Sequence, residues 1–156
     1  MGRVLDILQH PHPLLRTASR RMAEFGVPLR ELADDMLATM YAARGMGLAA
    51  VQIGIPASVI VVDVSPSQVD PHVMVNPYIT KARDTQRVRD GCLSVEEGKR
   101  FAYTTRAKRI EVHYVDLDGK PQRMKATGLL AAAIQHEIDH LEGRLYIDLV
   151  EEQEVA

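Results

Sequence analysis

Cysteine, net charge and long hydrophobic runs are all scarce in this sequence. A single Cys among 156 residues cannot form an internal disulfide, and a chain of this length can bury a core that needs none. The formal net charge is only −2, from 19 Lys and Arg against 21 Asp and Glu. That balance gives no reason to expect binding to a phosphate backbone, and the clearest apolar run, Ser58–Val62, is far shorter than the ~20 residues that cross a bilayer. We therefore expect neither a nucleic-acid partner nor a membrane span.

Targeting signals are also lacking at the N-terminus. Met1–Asp6 has no extended apolar region and no Ser or Thr of a myristoylation signal, so we expect a cytoplasmic protein. Hydrophobic residues make up 46% of the chain and charged residues 26%, as in an ordinary globular domain. We predict one domain over residues 1–150 and a frayed tail over 151–156, with a monomer as the default.

The hydrophobic spacing predicts an α+β fold with an N-terminal amphipathic helix and small mixed or antiparallel sheets around a central C-terminal helix. The predicted elements, in chain order, are an irregular arm (Leu8–Arg16), a helix (Pro28–Ala43), two strands (Ala57–Val64 and Val73–Ile79), a hairpin (Arg109–Asp116 with Gln122–Ala126), a helix (Leu129–Glu142) and an extended segment (Leu145–Ile147).

The C-terminal helix carries the sequence His-Glu-Ile-Asp-His at residues 136–140. His136 and His140 lie one turn apart, which is close enough to bind one metal ion, and Glu137 can reach a bound water as a base. Ala132 and Ala133 share that side of the helix, which gives it a second face of small residues and imidazoles. The alternative is a helix surface where the same side chains simply meet water, so a third ligand would strengthen the metal hypothesis.

A third ligand must come from upstream or be a carboxylate, because no His follows His140, and Tyr146 stands where a metzincin has its third His. Besides acidic residues, the upstream candidates are His10, His12, His72, Cys92 and His113. Cys92 stands out because it follows a Gly that permits a tight backbone, and a thiolate with two imidazoles leaves a fourth position for water. Alternatively, Cys92 is a small buried apolar residue.

Three segments together resemble the peptide deformylase family: Gly45–Gln52, Asp90–Ser94 and Gln135–Gly143, in the family's order. The Ile7–Arg16 arm and the Asp118–Pro121 hairpin are also similar, so the resemblance spans nearly the whole chain. It implies hydrolysis of the formyl group from the N-terminal formyl-methionine of new polypeptides. It also implies one divalent ion, Fe²⁺ in the cell, although Ni²⁺, Co²⁺ or Zn²⁺ can occupy the same ligands in preparations.

The resemblance also implies a role for each residue of the site. The metal ligands would be Cys92, His136 and His140. Glu137 would be the base that transfers protons. The Gln52 side chain and the Leu93 N–H would stabilise the oxyanion. Gly45, Met46 and Gly47 would receive the substrate as an added strand, because glycine lets another backbone approach closely. We further expect Ala132 and Ala133 to leave room for the substrate methionine side chain.

Some positions depart from the family pattern. Asp90 replaces the usual Glu before Gly-Cys, and Val51 replaces the common Pro before Gln. The segment Val95–Arg100 suggests a short insertion. Either Lys99 or Arg100 could pair with the carboxylate before Gly-Cys, or both could belong to a solvated charged loop.

The sequence is also compatible with two other functions, and it raises the question of binding to the ribosome. One alternative is a different peptidase with the His-Glu-x-x-His motif, and the other is a non-catalytic deformylase-like protein that only binds peptides. Ribosome association is in question, because the chain stops soon after Ile147, without the long C-terminal helix through which many bacterial family members dock.

Overall fold

A computed structural model describes residues 2–150 and 152–153 of the chain. Two α-helices lie on a single sheet, and the α+β prediction is confirmed. The helices are α1 (Val27–Ala42) and α2 (Gly128–Leu141), and the strands are β1 (Gly47–Ala49), β2 (Val59–Val62), β3 (His72–Gly91), β4 (Phe101–Val115), β5 (Pro121–Thr127) and β6 (Glu152–Gln153). Short 3₁₀ helices occupy Pro13–Arg16, Ala50–Ile53, Glu96–Gly98 and Tyr146–Asp148.

The sheet is one connected antiparallel sheet rather than several small ones. Its strands follow the order β1-β2-β3-β4-β5, with β6 paired to the other end of β4. Arg20 and Ala57 also form an isolated parallel bridge outside these strands. From β1 to β5, strands that follow one another in the chain are neighbours in the sheet, and β1 is left at an edge.

Strand β2 explains how two helices can share this sheet. All four of its residues are buried, because Ile60 and Val62 face α2 while Val59 and Val61 face α1. Successive side chains of a strand point to opposite faces, so four consecutive β-branched residues suit a strand covered on both sides. This three-layer region fixes α2, and with it the side chains of residues 136–140, against the sheet.

A buried carboxylate ties α1 to the loop that follows β2. Asp63 accepts hydrogen bonds from the Tyr41 hydroxyl (2.6 Å), the Ser65 N–H (2.9 Å) and the Asp70 N–H (3.2 Å). Burial disfavours its charged form, but the hydrogen bonds from Ser65 and Tyr41 outweigh burial and lower the pKa of Asp63. The ionised group therefore stabilises the folded chain.

Several predicted boundaries need correction. The strand predicted at Val73–Ile79 continues to Gly91, because its second half is largely exposed and polar on one face, and so lacks the hydrophobic alternation that marks a strand. The strand predicted at Ala57–Val64 is confined to Val59–Val62. The segment Leu145–Ile147, predicted to be extended, instead leads into the 3₁₀ turn Tyr146–Asp148.

The expected frayed tail lies mostly outside the described residues. Within it, Glu152 and Gln153 are described and pair with Tyr103 and Ala102 of β4, so this part of the backbone is ordered as a strand. In residues 2–150 and 152–153, no helix combines the length and the apolar character needed to cross a membrane.

Candidate metal centre

The three ligands suggested by the sequence converge in the fold. Helix α2 presents His136 and His140 from successive turns, and Cys92 comes from the loop that follows β3. One possible ligand atom from each residue lies within 4.8 Å of the others, and all three residues are buried. The Cys92 Sγ is 3.2 Å from His140 Nε2, close enough for both atoms to bind the same ion. The residues therefore fit one divalent metal ion.

Asp90 orients one of these imidazoles. Its Oδ1 lies 3.0 Å from His136 Nδ1, which leaves His136 Nε2 directed toward the other two ligands. Burial opposes ionisation of this carboxyl group, but the hydrogen bond and charge of His136, together with Arg106, lower the pKa of Asp90 to about 2. A carboxylate one methylene shorter than the expected Glu thus still reaches the histidine and stays charged.

Arg106 is the residue that sequence reasoning missed. Its Nε donates to Asp90 Oδ2 at 2.8 Å, and its Nη1 donates to Asp139 Oδ2 at 3.0 Å. The proposed partners, Lys99 and Arg100, instead lie near acidic residues of their own loop. Neither of them is the cation bound to Asp90.

A signal for Arg106 was present in the sequence. Ala102, Thr104 and Arg106 alternate along β4 and are all buried, and Thr104 Oγ1 also donates to Asp90 Oδ2 at 3.0 Å. The predicted hairpin began at Arg109, so this inward-facing row was not recognised as part of a strand.

Glu137 lies beside the three ligands. It is 4% exposed, and its Oε2 is 3.9 Å from His136 Nε2. No hydrogen-bond partner for its Oε1 occurs among the described residues. Burial raises the pKa of Glu137 to about 7, with His136 and Arg106 acting in the opposite direction. A carboxyl group with such a pKa can accept and return a proton near neutral pH.

Gln52 reaches the same centre from the 3₁₀ helix after β1. Its Oε1 accepts from the Ala49 N–H at 2.8 Å, which fixes the amide orientation. Its Nε2 donates to Ser94 Oγ at 3.0 Å and lies 3.7 Å from Cys92 Sγ. The structure therefore brings the Gln52 amide and Leu93, the residue after Cys92, to one side of the ligands.

A cavity of about 220 Å³ opens beside these groups. All five residues expected to bind substrate line it, namely Gly45, Met46, Gly47, Ala132 and Ala133. Its wall also includes the apolar side chains of Val88, Leu93, Phe101 and Leu129. The cavity thus has an apolar wall and is also lined by His136 and Glu137. Such a site can bind an apolar side chain and place a neighbouring carbonyl group beside these two residues.

The glycines have a physical role beyond the expected approach of a second backbone. A Cβ added to Gly47 would lie 2.5 Å from Glu137 Oε2, and one added to Gly45 would lie 2.6 Å from Leu93 Cδ1. The space above each glycine is therefore already taken by a side chain of the site. Because Gly47 has no side chain, the Glu137 carboxylate can lie directly against it.

The site has the features of a metal-dependent hydrolase on an α+β fold: a buried Cys, two His one helical turn apart and a Glu beside an apolar cavity. The family model described as Polypeptide deformylase matches residues 4–156. The chain belongs to the peptide deformylase family.

Individual relatives agree with that membership. A peptide deformylase of Pelagibacter ubique is 49% identical over 148 residues, covering 93% of this chain and 85% of the relative. The crystal structure of a Legionella pneumophila peptide deformylase has a TM-score of 0.91 and 37% identity, covering 96% of this chain and 87% of that one. A Synechococcus elongatus peptide deformylase in complex with actinonin has a TM-score of 0.89 and 40% identity, with 95% and 79% covered. Membership of this family excludes the alternative of an unrelated peptidase with the His-Glu-x-x-His motif.

Proposed function

We propose that this chain hydrolyses the formyl group from the N-terminal formyl-methionine of new polypeptides and releases formate. The observation that carries the proposal is the convergence of Cys92, His136 and His140 around Glu137 at the wall of the apolar cavity. Its membership of the peptide deformylase family supports the same reaction.

Cys92, His136 and His140 would hold one divalent ion, Fe²⁺ in the cell, with Ni²⁺, Co²⁺ or Zn²⁺ possible in preparations. When bound, this ion supplies Lewis acidity, which lowers the pKa of a water molecule and polarises the formyl carbonyl. One thiolate and two neutral imidazoles are a donor set that leaves a coordination position open. The salt bridge of Asp90 with Arg106 fixes the His136 ring for this purpose.

Glu137 carries out the proton transfers. Its carboxylate accepts a proton from the attacking water as the new C–O bond forms at the formyl carbon. The same carboxyl group then returns the proton to the departing amine nitrogen as the C–N bond breaks, so formate and a free α-amine are the products. The pKa of Glu137 of about 7 suits both directions of transfer near neutral pH.

Gln52 and Leu93 would stabilise the negative charge that develops on the formyl oxygen. The Gln52 Nε2 and the Leu93 N–H are donors on the cysteine side of the centre, where that oxygen would lie. Donors at this position would act mainly on the transition state, because the negative charge on the oxygen develops only there.

The substrate peptide would bind as an additional strand next to β1. This strand lies at an edge of the sheet, and it contains Gly47. Extended peptides add to such edges through main-chain hydrogen bonds. The methionine side chain would then enter the cavity beside Ala132 and Ala133, where a larger side chain would fill the space. We further propose that the protein acts in the cytoplasm as a monomer.

A formate-release assay tests the proposed function. We expect the metal-loaded wild type, purified anaerobically and checked by metal analysis, to release formate from formyl-Met-Ala without cleaving a blocked internal peptide. Glu137→Ala should lower kcat by about 10²–10⁴-fold, the usual contribution of a general base. Glu142→Ala is the matched control, because Glu142 is an exposed residue of the turn after α2.

The same assay separates catalysis from peptide binding alone. A metal-loaded wild type that binds formyl-Met-Ala but releases no formate would show the non-catalytic alternative to be right. Glu137→Ala must also retain its metal ion, since the two kcat values can be compared only when both proteins have the ion bound.

A further inference from the structure

The N-terminal arm contacts both segments that carry the proposed oxyanion donors. The Leu8 N–H donates to the Gln52 carbonyl at 2.7 Å, and the His10 N–H donates to the Ser94 carbonyl at 2.7 Å. Gln52 and Ser94 are far apart in sequence and belong to different elements. Three consecutive arm residues, 8–10, therefore link the two halves of the oxyanion site.

The side chain between these two backbone contacts makes a third link. Gln9 Nε2 donates to the Leu93 carbonyl at 2.8 Å, while Gln9 Oε1 accepts from the Glu97 N–H at 3.0 Å. An amide side chain can do both at once, since its nitrogen donates and its oxygen accepts. The half-buried Gln9 thereby bridges the beginning and the end of the loop that follows Cys92.

These contacts anchor three successive carbonyls of that loop. The Cys92 carbonyl accepts from the Val95 N–H at 2.9 Å, the Leu93 carbonyl from Gln9, and the Ser94 carbonyl from the arm backbone. Because peptide units are planar, the Cys92 carbonyl held by the Val95 N–H sets the direction of the Leu93 N–H in the same unit. The bond from Gln9 holds the next peptide unit, so it restrains rotation of the backbone at Leu93. None of the hydrogen bonds among residues 2–150 and 152–153 uses this N–H, so it is available to a substrate oxygen.

We propose that Gln9 is a positioning residue for the oxyanion donors: its amide holds the Cys92–Glu97 loop so that the Leu93 N–H points at the formyl oxygen. The inference rests on the proposed function, since it needs the role assigned to Leu93. A donor that is misdirected stabilises the developing charge less but leaves ground-state binding in the cavity intact. Loss of Gln9 should therefore lower kcat and leave KM nearly unchanged.

Two substitutions and one matched control test this role. Gln9→Ala removes both hydrogen bonds to the loop, together with a longer one from Gln9 Nε2 to the Ile7 carbonyl at 3.4 Å. Gln9→Glu keeps an acceptor for the Glu97 N–H and loses the donor to the Leu93 carbonyl. His12→Ala is the control: its exposed imidazole belongs to the same arm and accepts from the Leu14 N–H at 3.1 Å, and within the described part of the chain it makes no hydrogen bond to residues 92–98. The metal-loaded proteins are compared in kcat and KM for formyl-Met-Ala, thermal midpoint, and amide hydrogen exchange of residues 92–98.

We expect both Gln9 variants to lose about ten-fold in kcat, less than the 10²–10³ lost when an oxyanion donor is removed outright. KM should change by less than about two-fold, and residues 92–98 should exchange faster, while His12→Ala behaves as the wild type in all of these. If Gln9→Ala is too unstable to measure, Gln9→Glu provides the same comparison.

Two results would overturn the proposal. One is a kcat within about two-fold of wild type in the Gln9 variants, and the other is an equal loss in His12→Ala, which would mean that any loosening of the arm suffices. A wild type that releases no formate would instead defeat the proposed function. In that case unchanged amide exchange in the Gln9 variants would still refute the anchoring of the loop.

Discussion

Replacing Gly47 with Ala places a methyl group where the Glu137 carboxylate lies. The added Cβ would be 2.5 Å from Glu137 Oε2, 2.9 Å from its Cγ and 3.0 Å from its Cδ, all closer than the ordinary contact distance of 3.4–4 Å. The carboxylate must therefore move by about 1 Å, and a displacement of that size can cost about 10²-fold in rate. Crowding a packed site also costs about 1–3 kcal/mol in stability.

A double-mutant comparison measures whether the effect passes through Glu137. Gly47→Ala should lower kcat by about 10²-fold in the wild type, yet cause little further loss in the Glu137→Ala background, because the displaced group is then absent. Metal content and the thermal midpoint are measured in all four proteins, so that loss of the ion or of the fold is detected separately.

Gly45→Ala provides the matched control. Its Cβ would meet the end of the Leu93 side chain at 2.6 Å, and a terminal methyl can rotate away more easily than a carboxylate held by burial. We expect a smaller loss in kcat than for Gly47→Ala. The reasoning is refuted if Gly47→Ala keeps the wild-type kcat, or if it lowers kcat equally with and without Glu137.

Three further predictions follow from contacts outside the Glu137 position. Arg106→Met should destabilise the metal-free protein by about 3–5 kcal/mol in urea unfolding, because it leaves the buried Asp90 carboxylate without its guanidinium partner, and it should weaken metal binding by about 10–100-fold; wild-type values for both would contradict this. Asp63→Asn should be less stable than wild type above the unfolded pKa of 3.8, and the difference should shrink as the pH falls through the lower folded pKa; a constant difference between pH 6 and pH 2 in thermal unfolding would exclude this linkage. Ala133→Phe should raise KM for formyl-Met peptides by filling the cavity, and steady-state kinetics with unchanged KM would argue against a methionine pocket there.

Local patterns predicted both helices to within two residues at each end. Leu29 and Met36 recur at helical spacing in α1, and Ile134 and Ile138 do so in α2. The long β3 was harder to recognise, because much of its second half is exposed. Its exposed polar residues alternate with a row that is buried only in part, so neither face gives a strong hydrophobic signal.

The metal ligands were predictable because each lies in a short motif with its own chemistry. His136 and His140 are related by helical spacing alone, which any α-helix fixes. Cys92 could be singled out because it is the one cysteine and follows a glycine. In the structure the possible ligand atoms of these three residues lie within 4.8 Å of one another, so they can bind one ion.

Spacing along the chain could not predict contacts made across elements. Arg106 reaches Asp90 because β3 and β4 pair in a particular register, and Gln9 reaches Leu93 because the arm packs beside the loop. Register and packing depend on the whole set of buried side chains rather than on a local motif. The sequence by itself thus determined the chemistry of the helix His136–His140 and its cysteine partner. Only the tertiary structure decided which side chains hold that chemistry in place.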